Sequence, residues 1–172
     1  YTEYDGKPYI LVAPTDADKM FALDARTGKL LWRLAQDRSP VYGGRALVGV
    51  RDGNIYIAAD GGDMGGAASR LHKVDIKTGR VKDSLKVTPT NRGTLLKLSG
   101  RPCIADNMLL WPGEMNIGGC TIAEIDLDKM RVVESESAPP SWRGYGYSVF
   151  TQHGVAFTVS GSDYSRNAGE FA

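Results

Sequence analysis

Cysteine and histidine are almost missing from this 172-residue sequence, two of each, and both scarcities exclude chemistry. Cys103 and Cys120 stand in neither a CxxC nor a CxxCH spacing, so a zinc pair and an attached haem are not expected. If they lie on the first and third strands of one sheet, the strand between them holds them roughly 10 Å apart. A disulfide wants Cα atoms within about 7 Å, so two free thiols are expected. His72 and His153 read as a sheet residue and a turn residue at opposite ends of their strands, which leaves no Ser-His-Asp or metal-histidine arrangement. No apolar run approaches the roughly 20 residues of a membrane span. Charge of one sign is lacking too: 21 Lys and Arg against 20 Asp and Glu leave no global field for nucleic acid or anionic lipid. There is no signal peptide, and the chain reads as if it begins in mid-domain.

What is present is turn chemistry. Twenty-one glycines, eight prolines and eight tyrosines favour a turn-rich β protein over a helical one. With 42% hydrophobic and 24% charged residues, the chain can bury a core as a soluble globular protein does. The stretch ALDARTGKLLW at 22–32 returns as KVDIKTGRVKD at 73–83 and as EIDLDKMRVVE at 124–134, with aspartates at Asp24, Asp75 and Asp126 spaced 51 residues apart both times. A fixed period of this size marks solenoids, arrays or propellers. Each copy joins two strands: an apolar strand end, an Asp able to bond turn amides, Thr-Gly where positive φ is wanted, then a second strand. A bulge is expected at Gly28 and Gly79. Met130 takes the glycine place in the third copy, where positive φ is costly for a side chain with a Cβ, so a differently shaped turn is expected there.

Ala22, Asp24, Thr27, Gly28, Lys29 and Trp32 satisfy the pattern Ala-x-Asp-x-x-Thr-Gly-Lys-x-x-Trp in full, and in this the chain resembles the quinoprotein-like β-propellers built from PQQ repeats. The family includes pyrroloquinoline-quinone alcohol dehydrogenases and outer-membrane assembly lipoprotein propellers. The second copy keeps Asp75, Thr78, Gly79 and the basic Arg80 but has Asp83 in place of the tryptophan; the third keeps Asp126 and Arg131. The resemblance implies four-stranded antiparallel blades, a periplasmic or extracellular location, and a Trp32 that packs between neighbouring blades.

Against that template the chain is an all-β partial propeller of about three blades' worth of strands: blade one over about 5–38, blade two over about 42–88, blade three over about 98–138, and an incomplete blade four over about 142–172. Equivalent second strands are expected at 9–13, 55–59, 108–111 and 155–160, with no helix longer than two turns. An inner strand for blade one would have to precede Tyr4, where there is almost no room. Closed propellers of this kind need seven or eight blades, roughly 350 to 400 residues at this period. The sequence is therefore expected to be part of a longer polypeptide, its open blades covered by the remainder of that polypeptide or by another protein chain.

Candidate chemistry is thin. The glycine-rich run at 61–66 matches neither GxGxxG nor a P-loop and is followed by no helix, so it reads as an insertion between strands. Asp60 and Asp63 lack the alternating carboxylates of a calcium loop. Quinone-dependent oxidation, as the resemblance describes it, wants a catalytic Asp beside calcium and a ring of adjacent cysteines, and the sequence has no Cys-Cys pair. No catalytic, cofactor-binding or metal residue is assigned, and pyrroloquinoline quinone or calcium is expected only if other blades supply the site.

Connectivity indicates where a partner would bind. In a meander, links between strands one and two and between three and four share one rim, and they are short here. The long links, at 35–44, 61–70, 88–100, 112–119, 137–144 and 160–171, share the other. They and the adjoining inner-strand starts carry Tyr42, Arg45, Arg92, Arg101, Trp142, Arg143 and Tyr164, residue types favoured in recognition surfaces. This rim is the candidate contact surface of a non-catalytic binding or assembly platform, with Trp142 packing under its own loop as the alternative. A carbohydrate- or polymer-binding propeller and a dehydrogenase fragment are the competing functions.

Overall fold

The computed structural model describes residues 1–13, 19–35, 45–59, 69–87, 96–97, 102–115, 119–137, 145–152 and 155–161. Among them are fifteen strands and no helix. The first sheet is an antiparallel meander of β1 (Thr2–Tyr4), β2 (Lys7–Val12), β3 (Lys19–Asp24) and β4 (Leu30–Ala35). A second repeats it with β5 (Arg45–Arg51), β6 (Asn54–Ala59), β7 (Ser69–Asp75) and β8 (Val81–Val87). A third holds β9 (Leu96–Lys97), β10 (Cys103–Ala105), β11 (Met108–Met115), β12 (Gly119–Asp126) and β13 (Arg131–Ser137); the last pairs β14 (Tyr145–Gln152) with β15 (Val155–Gly161). The expected second strands are thus β2, β6, β11 and β15. By packing, the chain divides into two compact units, Tyr1–Ser84 and Leu85–Ala172.

In the first unit, strand alternation sorts the side chains. Tyr9 and Leu11 on β2, Met20 and Ala22 on β3, and Trp32 on β4 face Ile55, Ile57, Val74 and Ile76 of the second sheet in one core. The intervening residues Ile10 and Val12 point to the other face of the first sheet, 37% exposed each. The second sheet buries both faces, since Tyr56, Ala58 and Leu71 are also below 3% exposed. In the second unit, Leu109, Trp111, Ile125 and Leu127 are buried, and β14 packs against β10, β11 and β12.

Four details depart from the sequence reading. An inner strand does fit before Tyr4: β1 needs three residues, because Asp5 and Gly6, both at positive φ, close a two-residue hairpin between the paired Tyr4 and Lys7. Asp52-Gly53 repeats that turn between Arg51 and Asn54. The bulge is not at Gly28: the register shifts between Ala22 and Leu23, leaving Leu31 as the extra residue, while Gly28 spends its positive φ closing the turn with its N–H on the Asp24 carbonyl at 2.8 Å. Val133 is the extra residue in the third sheet.

Met130 also departs from expectation. Its φ is 45°, in the same left-handed region as Gly28 at 71° and Gly79 at 68°. The side chain is 8% exposed, and burying it, worth roughly 2 kcal/mol, offsets a left-handed cost of about 1–2 kcal/mol. Finally, the link expected at 112–119 shortens to 116–118, because β11 runs through Pro112, paired with Ile122. On the opposite edge neither β9 nor β10 pairs with Pro112.

Candidate functional site

The best-defined polar constellation is the repeated aspartate turn. Asp24 Oδ1 accepts the N–H groups of Arg26 and Thr27 at 2.9 Å each and the Thr27 hydroxyl at 3.0 Å. Asp75 does the same with Lys77, Thr78 and the Thr78 hydroxyl at 3.0, 2.9 and 2.9 Å. Asp126 receives Asp128 N–H and Lys129 N–H at 3.0 Å; with no threonine there, Lys129 Nζ reaches Asp126 Oδ2 at 3.2 Å instead. Donors aimed at a carboxylate favour its charged form, so all three acids titrate low: Asp24 through the Thr27 amide, Asp126 through the Lys129 amide, and Asp75, at about 2, chiefly through Lys82. Lys82 Nζ bridges Asp75 Oδ2 at 2.9 Å and Asn54 Oδ1 at 3.0 Å. Oδ1 of each carboxylate is thus held by its own turn.

A second constellation joins the first two sheets. Trp32 donates its indole N–H to the Ile76 carbonyl at 2.8 Å, and its ring covers Gly79. The Tyr4 ring covers Gly53 in the same way, leaving no room for a Cβ. Lys77 Nζ meets Asp5 Oδ2 at 2.6 Å and sits 5.4 Å from the Tyr4 ring centroid. The pair holds Asp5 below and Lys77 above their ordinary values. Around it lies an open depression of about 280 Å³ lined by Tyr4, Asp5, Lys7, Tyr9 and Lys77, in which burial raises the Tyr9 phenol. Because Asp5 is in a one-two turn and Lys77 in a three-four turn, the ion pair shows these turns sharing one rim within this unit.

Among the described residues no three of His, Cys, Asp and Glu converge as a metal site needs. His72 lies in β7 as a sheet residue, its Nδ1 2.7 Å from Ser84 Oγ. Cys103 is a free thiol raised by burial. The buried Trp111 N–H has no hydrogen-bond partner among the described residues. Of the candidate rim residues, Arg45 opens β5 opposite Ala59; Tyr42, Arg92, Arg101, Trp142, Arg143 and Tyr164 lie outside the described residues, as do His153, Asp60, Asp63 and the glycine run at 61–66. The Tyr4–Gly53 contact and the Asp5–Lys77 pair were missed by sequence reasoning, and only the Asp-Gly dipeptide at residues 5 and 6 signalled them.

Residues 3–117 match the family model described as outer membrane protein assembly factor BamB, a PQQ-repeat model. The chain belongs to the PQQ-repeat β-propeller family. Its fold likeness agrees. The crystal structure of BamB from Moraxella catarrhalis superposes with a TM-score of 0.54 at 18% identity over 88% of this chain and 45% of that one. Quinohemoprotein alcohol dehydrogenase from Comamonas testosteroni gives 0.59 at 15% over 88% and 30%, and the enzyme ADHIIG from Pseudomonas putida HK5 gives 0.54 at 16% over 91% and 30%. The chain thus spans less than half the length of these PQQ-type propellers. Comparison with curated proteins finds no match. For a PQQ-repeat protein the aspartate turn and the Trp32 seam are parts of the scaffold, and no helix among the described residues is long and apolar enough to cross a membrane.

Proposed function

We propose that the protein is a non-catalytic, extracytoplasmic propeller that serves as a protein-binding or assembly platform through its rim of long links. The observation that carries this is the engagement of the opposite rim. In the first unit its short turns are tied to one another by Asp5–Lys77 and closed on themselves by Asp24 and Asp75, so variable recognition residues fall to the other side. The matching family is described as an assembly factor, which favours a protein partner. A periplasmic or extracellular location follows the same relatives.

The experiment replaces Trp142 and Arg143 by alanine in the full-length protein and measures partner capture alongside thermal stability. Lost capture at unchanged stability supports the contact role. Unchanged capture with lowered stability makes Trp142 a lid on the core and refutes it.

A second reading, a quinone-dependent dehydrogenase, is favoured by the likeness to the two alcohol dehydrogenases. The described residues converge on no metal site and the sequence has no adjacent cysteines, so no step through a quinone or calcium is derived for this segment. Adding pyrroloquinoline quinone and calcium to the full-length protein tests it: a quinone spectrum with alcohol-dependent dye reduction would replace the platform reading.

A further inference from the structure

The first sheet departs from the other two at the end of its first hairpin. In the second and third sheets the residue right after that turn, Asn54 or Met108, is the one that faces the repeat aspartate. In the first sheet the residue facing Asp24 is Tyr9, three positions beyond the Asp5-Gly6 turn. The backbone bonds agree: Ile76 and Leu127 donate to the Gly53 and Asn107 carbonyls, each the last residue of its turn, whereas Ala25 donates to Pro8. The β1–β2 hairpin is therefore two residues longer than its counterparts, and its end stands roughly 7 Å beyond theirs.

This extension supplies most of the depression around Lys77. Tyr4, Lys7 and Tyr9 share one face of the hairpin, because Tyr4 pairs with Lys7 and Tyr9 lies two residues on, while Glu3 and Pro8 take the other face. Tyr4 reaches across the shorter second hairpin at Gly53 and stays half-buried; Tyr9 is the buried floor. Of the two ammonium groups, Lys77 is matched by Asp5 at 2.6 Å. Lys7 joins no ion pair among the described residues and rests on the Tyr9 ring, 5.7 Å from its centroid. Asp24 feels Lys7 through space, with its own Oδ1 held in its turn. The lining thus offers two cations against one carboxylate.

Each group narrows the ligand. Lys7, unmatched, calls for an anion. The Tyr4 ring offers an apolar wall to C–H groups. Asp5 is already neutralised by Lys77, so it suits hydroxyl donors, and a ligand ammonium would have to compete with Lys77 for it. At about 280 Å³, near the lower end of the about 300–1,000 Å³ usual for ligand pockets, the depression takes one ring-sized molecule. We infer that it binds an acidic sugar, a hydroxylated ring bearing a carboxylate, with Lys7 as counter-ion, Tyr4 as apolar wall and Asp5 as acceptor for ring hydroxyls. The site stands on the short-turn rim and does not rest on what the long-link rim binds.

Calorimetric titration of the full-length protein with D-glucuronate tests this, beside D-glucose, which lacks the carboxylate, and acetate, which lacks the ring. The expected result is saturable glucuronate binding, with glucose and acetate each weaker by about tenfold or more, the loss that follows removal of a charge-assisted contact. Lys7→Gln should weaken glucuronate by about tenfold at an unchanged melting temperature, and Lys29→Gln, in the exposed turn of the same sheet, should leave it unchanged. Lys7 is exposed, so its substitution does not challenge folding. Absence of saturable glucuronate binding overturns the proposal, as does acetate binding equally well, which would mean an adventitious anion contact only. Glucose binding equally well removes the counter-ion role and overturns it too. Glucuronate affinity untouched by Lys7→Gln, or lowered as much by Lys29→Gln, would place the sugar elsewhere and overturn it as well.

Discussion

The Trp32 indole lies directly over the α-carbon of Gly79: a Cβ placed there would be 2.5 Å from Cδ2 and 2.6 Å from Cε3, while the indole N–H reaches the Ile76 carbonyl at 2.8 Å. Three requirements converge on residue 79, a left-handed φ, a close aromatic approach and a turn N–H for Asp75, and only glycine meets all of them. The seam between the first two sheets is therefore specified by residue type at both ends.

Trp32→Ala should destabilise the full-length protein by about 3–5 kcal/mol in chemical denaturation, the range for losing a buried tryptophan. Trp32→Phe keeps much of the apolar area but leaves the buried Ile76 carbonyl without its donor, a loss of about 1–2 kcal/mol. A Trp32→Phe variant as stable as the parent would show that the hydrogen bond contributes nothing, and equal effects of the two variants would show that the ring area Phe keeps contributes nothing.

Met130→Gly should destabilise, against the rule that glycine suits positive φ. Relief of the left-handed backbone returns about 1–2 kcal/mol. Losing the buried thioether removes roughly 2 kcal/mol and the looser unfolded chain a further ~0.5–1 kcal/mol. A net loss of about 1 kcal/mol is expected in urea unfolding, and a gain would mean the Met130 side chain contributes little.

Asp75 gives the fold an acid-sensitive joint. Its folded value of about 2 lies below the ordinary 3.8, so its contribution is fully present above pH 4 to 5 and is lost as pH falls toward 2. Asp5, Asp24 and Asp126 are shifted the same way and add to the slope. Asp75→Asn should flatten the fall in denaturation midpoint between pH 5 and 2 relative to the parent and cost about 2 kcal/mol at pH 7. An unchanged slope would remove Asp75 from the account.

The thiol of Cys103 is raised by burial, so little thiolate forms near neutral pH and maleimide should modify it slowly in the native protein and quickly in urea. Cys103 pairs across to Leu110 on β11, whereas Cys120 pairs to Glu114, four residues further along that strand, which sets the two cysteines beyond disulfide reach. Rapid native labelling would contradict the burial.

The blades were legible because an aspartate turn is local. Asp24, Thr27 and Gly28 bond within five residues of chain, so the pattern survives in Asp75, Thr78 and Gly79 and in part at Asp126. Trp32 was legible from its place in the repeat. Met130 was not, because its backbone conformation is supported by burial that the sequence pattern does not display, and β1 was not, because three residues carry no periodicity. The bulge at Leu31 was misread as a property of Gly28, since both distort the same hairpin. Of the seven candidate contact residues only the backbone of Arg45 falls on a described strand, so the rim rests on connectivity.

Site-specific photo-crosslinking on the full-length protein in its native compartment tests that rim most directly. A photoreactive residue at Tyr42, Arg92 or Trp142 should yield discrete adducts with a partner protein, and one at Thr27, Thr78 or Lys129 in the aspartate turns should yield none. Adducts confined to the turn positions, with the long links silent, would contradict the platform reading.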